Sequence, residues 1–341
     1  MIILGVETSC DETAVAVLEG TGELSPAAIK LRSNIIASQI ELHRQFGGVV
    51  PEVASRRHVE TIIPVIEKAL DEAEVSLSDI TAVSATHGPG LVGAVLVGLS
   101  AAKALALALE VPFIGVNHIE AHMYANFIEH PDLKPPFVCL VVSGGHSDLV
   151  YLNDYGEYRV LGRTRDDAAG EAFDKVARTL GLSYPGGPAI DRISREGNPE
   201  AVRFPRAFLE EGSYDFSFSG LKTAVVNYVE ASKSKGVELS IPDIAASFQE
   251  AVIDVLVTKT LRAASEMDTA TVALAGGVAA NSRLRQEMHR RAGEKGLDVR
   301  YPSPILCTDN AAMVACVGYF QLVSGKCSSL DLPAVPNLQL E

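Results

Sequence analysis

Two histidines four residues apart offer the clearest chemistry in this sequence. His118 and His122 follow an apolar run, Pro112 to Val116, that is typical of a β-strand. Successive residues of a helix rotate by about 100°, so the two imidazoles would share one face and could bind one zinc or iron ion. A pair of surface or core histidines fits the spacing equally well. Because two ligands rarely suffice, a metal site requires a third elsewhere in the chain.

The helix that would carry this pair begins with typical capping residues. Asn117 is predicted to be the N-cap, and Glu120, three residues later, predicts a capping box. Glu120 would then point roughly opposite to the histidines. The zinc-protease order H-E-x-x-H is absent because Ile119 occupies its second position. The pattern therefore argues against a zinc-dependent protease.

An early acidic turn is the second candidate site. Asp11 and Glu12 lie between two apolar, β-branched segments, residues 2–7 and 14–19, so the pattern predicts a strand, a polar turn and a strand. Acidic residues are also ordinary in hairpin loops. The turn alone therefore does not establish a function.

Two glycine-rich turns are candidate anion sites. Gly144 and Gly145 lie between apolar segments, residues 137–142 and 148–153, where backbone N–H groups could approach a phosphate or carboxylate closely. The turn 276–281 joins a predicted strand to an arginine-rich helix. Helix N-termini in such turns commonly bind adenylates and phosphates.

Alternating strands and helices predict a layered α/β protein, and 341 residues suffice for about two domains. The strand–turn–strand pattern of residues 2–19 recurs at 137–153, just after a proline pair, which predicts related domains. We place them at 1–130 and 131–341. The final helix, about 309–324, is a candidate to pack back on the first domain.

Charge and composition restrict the class of protein. The net charge of −14 argues against tight, unaided binding to nucleic acid, because phosphate contacts need clustered Lys and Arg. Arg283, Arg285, Arg290 and Arg291 form a local exception, for which a solvated helix face is the simpler interpretation.

Targeting signals are weak in this sequence. The N-terminal apolar run is short and lacks a basic region, and the longest apolar stretch, residues 91–109, contains Lys103 and predicts a buried helix rather than a membrane span. Five cysteines without C-x-x-C spacing favour a reducing compartment. We expect a cytoplasmic protein with no membrane partner.

Eight short motifs in order resemble the tRNA N6-adenosine threonylcarbamoyltransferase family. The resemblance extends from Gly5 to about Val323 and is closest to the bacterial branch, because no further domain is fused to the chain. The motifs are GVETSCDET (5–13), GPGL (88–91), HIEAH (118–122), VSGGH (142–146), GEAFDK (170–175), YPGGP (184–188), GGVAAN (276–281) and TDN (308–310).

The resemblance implies an α/β fold of two duplicated actin-like or sugar-kinase-like domains, related to ribonuclease H, with a nucleotide cleft between them. It implies transfer of a threonylcarbamoyl group from threonylcarbamoyl-AMP to the exocyclic N6 amine of the adenosine beside the anticodon, in tRNAs that read codons beginning with A. AMP leaves. ATP or ADP could occupy the same cleft. The implied partners are tRNA, an inactive paralogue of the same fold and a small P-loop ATPase.

The resemblance also assigns roles to individual residues. The implied metal ligands are His118, His122 and Asp309, with Fe²⁺ the usual metal and Zn²⁺ an alternative. The histidines would then form half of a clamp that closes only when both domains are in place. Asp11 and Glu12 match positions needed for transfer. The implied contacts to the adenylate are Val142, Ser143, Gly144, Gly145, His146, Asp174, Gly187, Asp191 and Asn281.

Two other functions remain open on the sequence. An ATP-dependent kinase or ATPase of the same fold would fit the glycine turns, although phosphoryl transfer needs carboxylate-held Mg²⁺ rather than imidazoles. A catalytically silent scaffold would be expected to lack metal ligands, whereas this chain retains all three. Capping of the last helix is the simplest structural role for Asp309.

Overall fold

The computed structural model describes residues 1–208, 210 and 212–340. The chain divides into unit 1, Met1–Lys134 with Pro302–Glu341, and unit 2, Pro135–Tyr301. The strands are β1 (Ile2–Glu7), β2 (Glu12–Gly20), β3 (Ile29–Ser38), β4 (Ala82–Gly88), β5 (Phe113–Asn117), β6 (Phe137–Val142), β7 (Ser147–Asp154), β8 (Glu157–Gly162), β9 (Thr271–Ala275) and β10 (Asp298–Arg300). The α-helices are α1 (Ile40–Arg44), α2 (Pro51–Ala73), α3 (Val92–Leu109), α4 (His118–Glu129), α5 (Ala169–Thr179), α6 (Gly186–Ile193), α7 (Ser219–Ser234), α8 (Ile241–Glu266), α9 (Ser282–Gly293), α10 (Pro304–Cys307) and α11 (Ala311–Val323).

Unit 1 is built on a five-stranded mixed sheet with the order β3-β2-β1-β4-β5. Strands β1, β2 and β3 form an antiparallel meander, whereas β4 and β5 continue the sheet in parallel from β1. The β1 strand is buried from Ile3 to Glu7, as expected for a central strand with helices on both faces. The predicted first strand, residues 2–7, is confirmed.

Helix α2 carries apolar residues at helical spacing, at positions 59, 62, 63, 66 and 70. Ile62, Ile66 and Leu70 are buried, whereas Val59 and Ile63 are 64% and 57% exposed. At about 100° per residue, the face that α2 buries is centred to one side of Val59 and Ile63. Smaller alanines complete the inner face of α2 instead.

Helix α11 brings the end of the chain back to unit 1. It packs on β1, where Gly5 allows close approach: a Cβ built on Gly5 would lie 2.5 Å from the Ala311 carbonyl oxygen. Unit 1 thus includes all of Pro302–Glu341, whereas the sequence predicted a second domain of 131–341 with only the final helix as a candidate to return. Beyond α11, Ser328 pairs with Phe113 of β5.

Unit 2 repeats the topology of unit 1. Its sheet has the order β10-β9-β6-β7-β8, with an antiparallel meander from β6 to β8 and β9 and β10 added in parallel. Every strand of unit 1 therefore has a counterpart in the same relative position. This confirms the repeat that the sequence indicated at 137–153.

The final helix, predicted at about 309–324, is α11, which runs from Ala311 to Val323. The predicted strand before the turn 276–281 is β9. Between β8 and α7, Phe216 forms an isolated bridge with Thr164.

Helix α3 is the one helix among the described residues that is long and apolar enough to cross a membrane. Only 33% of it is buried, so the helix that the sequence predicted as buried is covered along one face and not all round. Its inner face, including Val95 and Leu99, packs in unit 1, as the core helix of a globular protein would. Length and composition alone are therefore weak evidence for a membrane span.

The close approach of α11 to β1 predicts a specific sensitivity at Gly5. Gly5→Ala should lower the free energy of unfolding by about 1–3 kcal/mol, because the added methyl group would meet helix backbone that cannot move independently. Gly293→Ala is the control, since a Cβ there has no neighbour within 4 Å. Urea denaturation measures both variants. Equal midpoints for Gly5→Ala and the wild type would contradict the packing described.

Candidate metal centre

The two histidines lie at the start of a helix that directly follows a strand. β5 ends at Asn117, and α4 begins at His118. The Asn117 side-chain oxygen accepts hydrogen bonds from the N–H groups of Ile119 and Glu120, at 2.9 and 3.4 Å, which confirms the predicted N-cap. The first two turns of α4 therefore present His118 and His122 on one face, with ring centroids 4.6 Å apart.

Asp309 completes a compact group of three candidate ligands. Its Oδ1 lies 3.5 Å from Nε2 of His118 and 3.3 Å from Nε2 of His122. One ligand atom from each residue lies within 4.8 Å of the other two. The structure thus brings together the three residues that the resemblance implied.

The spacing and burial of these atoms fit a metal ion. Two ligand atoms at about 2.1 Å from a metal lie about 3.0 Å apart at a right angle and 3.4 Å apart at the tetrahedral angle. His122 is fully buried, yet neither of its ring nitrogens has a hydrogen-bond partner among the residues that the structure describes. An unpartnered buried imidazole is costly, and a metal bond would satisfy one nitrogen. Two imidazoles and a carboxylate suit zinc or iron.

Glu7 orients His118 from the opposite side. Its carboxylate lies at the end of β1, fully buried, with Oε2 2.9 Å from Nδ1 of His118. Thr86 and the Ser9 N–H group donate to the same carboxylate at 2.6 and 2.5 Å. Because a carboxylate only accepts, His118 must carry a proton on Nδ1 and direct Nε2 towards Asp309. The sequence analysis missed this role, although a glutamate ending an apolar strand was a visible signal.

The electrostatics of the group favour an ionised carboxylate and one protonated imidazole. Burial opposes charge on His118, but Glu7 and Asp309 outweigh it and raise its pKa well above the ordinary value. Burial likewise opposes charge on Asp309, yet the two histidines hold its pKa well below the ordinary range. Burial lowers the pKa of His122, which is therefore neutral and available as a ligand.

The position of Asp309 corrects two expectations. Asn310, not Asp309, caps α11, because its side chain accepts a hydrogen bond from the Met313 N–H group. The cluster also needs no residue of unit 2, since all three side chains belong to unit 1. The two-domain clamp is therefore wrong.

Glu120 forms a hydrogen bond different from the one predicted for a capping box. Its carboxylate accepts a hydrogen bond from Gln321 of α11 at 3.3 Å rather than closing a capping box. Burial raises the pKa of Glu120 to about 7. The side chain thus links α4 to α11.

The acidic turn forms a second buried group in unit 1. Asp11 is buried, and Glu12 accepts a hydrogen bond from the Ser38 hydroxyl at 3.0 Å. Burial, followed by the charges of Asp11 and Asp309, raises the pKa of Glu12 well above its ordinary value. The influence of Asp309 indicates that the turn and the candidate ligands share one electrostatic environment.

The first glycine turn of unit 2 lies at the carboxyl end of β6. Val142 and Ser143 are buried, whereas Gly144 and Gly145 are exposed and have open space beside their Cα atoms. The His146 N–H group donates to the Ser143 hydroxyl at 3.2 Å, which closes the turn. Backbone N–H groups are therefore accessible there, as the anion-site hypothesis requires.

Of the other predicted adenylate contacts in unit 2, Gly187 and Asn281 lie at helix N-termini, whereas Asp174 and Asp191 lie within α5 and α6. Asp174 accepts a hydrogen bond from the Gly186 N–H group at the start of α6, beside Gly187. Asp191 accepts from the Ser282 hydroxyl, and Asn281 caps α9 while donating to Gln249. A Cβ on Gly187 would meet nothing within 4 Å. Loop and helix ends thus surround a set of backbone N–H groups suited to a phosphate.

Comparison with known proteins decides the family. Residues 30–316 match the model for tRNA N6-adenosine threonylcarbamoyltransferase. A tRNA N6-adenosine threonylcarbamoyltransferase from Clostridioides difficile (strain 630) is 55% identical over 100% of this chain and 98% of its own length. Its counterpart from Clostridium botulinum (strain 657 / Type Ba4) is 58% identical over 99% of this chain and 97% of its own.

This chain belongs to the tRNA N6-adenosine threonylcarbamoyltransferase family. It is therefore an enzyme that transfers a threonylcarbamoyl group to the N6 amine of adenosine in tRNA, as the resemblance implied. That conclusion replaces the kinase, scaffold and protease alternatives.

Solved structures of other proteins share the fold of this threonylcarbamoyltransferase. HypF in a phosphate- and nucleotide-bound form superimposes with a TM-score of 0.61 and 15% identity, over 94% of this chain and 46% of HypF. Component A of the (R)-2-hydroxyglutaryl-CoA dehydratase from Acidaminococcus fermentans gives 0.54 and 14%, over 95% and 99%. The chain thus spans about half the length of HypF. These likenesses confirm the predicted actin-like fold class.

The arginine-rich helix of this threonylcarbamoyltransferase is largely neutralised. Arg283 pairs with Glu250, Arg290 with Glu287, and Arg291 with Asp254. Arg285 stacks on Tyr301, with 4.2 Å between its guanidinium carbon and the ring centroid. These partners support the interpretation of α9 as a solvated helix face, so its arginines do not form a free cationic patch for tRNA.

Asp148, beside the glycine turn, predicts a pH dependence of stability. Burial raises its pKa to about 6, although Arg163 acts in the opposite direction. Because the unfolded pKa is near 4, the folded state retains a proton that the unfolded chain releases, and stability falls as pH rises through 6. Asp148→Asn should abolish this fall in the free energy of unfolding, which amounts to at most roughly 3 kcal/mol.

The measurement compares urea denaturation at pH 4.5 and 7.5. The stability of Asp148→Asn relative to the wild type should increase between the two values. Asp154→Asn, which changes an exposed carboxylate on the same strand, should show no such change. A constant difference between Asp148→Asn and the wild type would contradict the assigned pKa.

Proposed function

We propose that His118, His122 and Asp309 bind one divalent metal ion, Fe²⁺ with Zn²⁺ as the alternative, and that this ion serves threonylcarbamoyl transfer. The observation that carries the proposal is His122: a fully buried imidazole with two unpartnered nitrogens faces an ionised carboxylate and a second imidazole. The Asp309 Oδ1 atom lies 3.3 and 3.5 Å from the two histidine Nε2 atoms, distances that suit three ligands of one metal ion.

The bound ion would act as a Lewis acid on the donor's carbonyl group. Side chains of unit 1 set the orientation and the charge of the three ligands. Glu7 holds the His118 ring with Nε2 directed inwards, and burial keeps His122 neutral. Ionised Asp309 supplies the negative charge that a divalent cation requires. Three protein ligands leave coordination positions open for substrate.

The donor in this proposal is threonylcarbamoyl-AMP. The residues that would bind its adenylate are Val142, Ser143, Gly144, Gly145, His146, Asp174, Gly187, Asp191 and Asn281. Their exposed turn and adjacent helix N-termini suit a phosphate, and ATP or ADP would meet the same groups. A mixed anhydride is already activated, so the protein needs no nucleophile of its own and AMP leaves directly.

Asp11 or Glu12 would accept the proton that the attacking amine loses. The amine belongs to the adenosine beside the anticodon, in tRNAs that read codons beginning with A. A raised pKa makes Glu12 a stronger base than an ordinary carboxylate once it is ionised. We therefore assign the proton to Glu12 and a positioning role to Asp11.

The remaining proposals concern partners and location. The net charge of −14 and the paired arginines of α9 support weak tRNA binding by the isolated chain. An inactive paralogue of the same fold and a small P-loop ATPase would supply the missing affinity. We place the protein in the cytoplasm, where tRNA is modified and where free cysteines stay reduced.

The metal ligands predict a loss of metal binding in defined variants. His122→Ala and Asp309→Asn should each weaken Zn²⁺ affinity by at least about a hundredfold, because each removes a direct ligand. Chelator competition measures the affinity, and donor-dependent transfer to tRNA measures activity in the same preparations. Glu120→Gln is the matched control, a buried acid on the same helix whose partner is Gln321. Wild-type zinc affinity in both ligand variants would refute the site.

The assignment of the base predicts a difference between the two neighbouring carboxylates. Glu12→Gln should slow single-turnover transfer by about 10²- to 10⁴-fold and abolish the rise in rate with pH. Asp11→Asn should retain that rise, and both should keep the wild-type metal content. A Glu12→Gln enzyme with the wild-type pH profile would show that another group accepts the proton.

A further inference from the structure

The last residues of the chain form an ordered strap along unit 1. We define the C-terminal strap as Ser328–Leu340. It begins beside β5, where the Ser328 N–H group donates to the Phe113 carbonyl at 2.8 Å and the Ser328 hydroxyl accepts from the Gly115 N–H group at 3.0 Å. The Leu332 side chain then covers Gly115, where a Cβ would clash with it. The strap ends at Leu340, which is only 4% exposed.

The far end of the strap contacts the residue that caps the histidine helix. The Asn117 side-chain nitrogen donates to the Gln339 carbonyl at 3.1 Å. The oxygen of the same amide accepts from the Ile119 and Glu120 N–H groups in the first turn of α4. One planar amide therefore joins the strap to the start of α4. Its orientation is fixed from both ends, because nitrogen only donates and oxygen only accepts.

A second contact path leads from the strap to His118. The Gly90 N–H group donates to the Pro336 carbonyl at 3.0 Å, and the next residue, Leu91, donates to the Ser9 carbonyl at 2.8 Å. The Ser9 hydroxyl lies 3.2 Å from Nδ1 of His118. The strap therefore reaches this histidine both through its helix and through the loop that follows β4.

We propose that the C-terminal strap, acting through Asn117, positions the first turn of α4 and with it His118 and His122. Asn117 is a positioning residue in this view, because it acts through the histidines and not on substrate. The inference rests on the proposed metal site for its functional consequence. Its structural part, the coupling of the strap to α4, stands on hydrogen bonds that involve no metal.

The position of the strap explains why such support is useful. His118 is held in part by its own helix turn, and a metal site tolerates little displacement of its ligands. Helix ends fray readily unless their N–H groups are capped. The Leu340 side chain, which is buried beside Gln339, anchors this end of the strap and so helps to hold the Gln339 carbonyl in place.

Two variants separate the strap contact from the cap itself. Asn117→Ser keeps a side-chain oxygen that caps well but loses the donor to Gln339. Leu340→Ala changes no residue of α4 and weakens the anchor of the strap. Asn337→Ser is the matched control, since it makes the same substitution at an exposed strap position. All are made in the full chain.

The first readout is amide hydrogen exchange in metal-free protein. Leu340→Ala should speed exchange at Ile119 and Glu120 about three- to tenfold, the equivalent of one net hydrogen bond, while Leu4 and Val6 of β1 keep wild-type rates. Asn337→Ser should change none of them. Wild-type exchange at α4 in Leu340→Ala, or equal acceleration throughout unit 1, would overturn the proposal.

The second readout is Zn²⁺ affinity by chelator competition. Asn117→Ser and Leu340→Ala should each weaken it about three- to tenfold. The double variant should bind Zn²⁺ as tightly as the single variant of lower affinity, because both substitutions remove the same link. Additive losses of affinity would overturn the role of Asn117. Faster exchange at α4, combined with zinc binding that His122→Ala leaves intact, would refute the proposed ligands and still uphold the strap's support of α4.

Discussion

The close approach of one carboxylate to two buried imidazoles is the constraint on which unit 1 depends. Asp309 Oδ1 lies within 3.5 Å of Nε2 in both His118 and His122, in surroundings that remove most of the water. Burying such groups is costly unless each is paired or coordinates a metal. Glu7 compensates for part of this cost at His118, and its own carboxylate is satisfied by Thr86 and Ser9. His122 has no comparable partner, which is why we regard it as a ligand.

The packing of α11 follows from that constraint. Asp309 can reach α4 only if the helix that follows it lies close against the sheet. Gly5 on β1 and Gly318 on α11 permit this approach, since a Cβ at either position would lie 2.5 Å from a neighbouring atom. Glu120 and Gln321 then join α4 to α11 directly. Small residues in the core and buried acidic residues thus serve the same arrangement.

The sequence predicted local features well and long-range packing poorly. The bounds of β1 were correct and those of α11 were close, because their apolar periods and caps are local signals. The return of 302–341 to unit 1 depends on contacts between distant segments, which no window of sequence displays. The strap has no clear sequence signal either, because its anchoring contacts are mostly to backbone groups rather than to a recognisable side-chain pattern.

The candidate ligands illustrate the same division. Their spacing alone could not choose between a metal pair and ordinary histidines, and Asp309 entered only through the family resemblance. Glu7 was quoted within a motif without a role, because its partner lies 111 positions away. The most direct test of the account is X-ray absorption spectroscopy at the iron edge of anaerobically prepared, full-length protein. The account predicts a nitrogen and oxygen shell with outer scattering from two imidazoles, reduced to one in His122→Ala; sulfur ligation, or a spectrum that His122→Ala leaves unchanged, would contradict it.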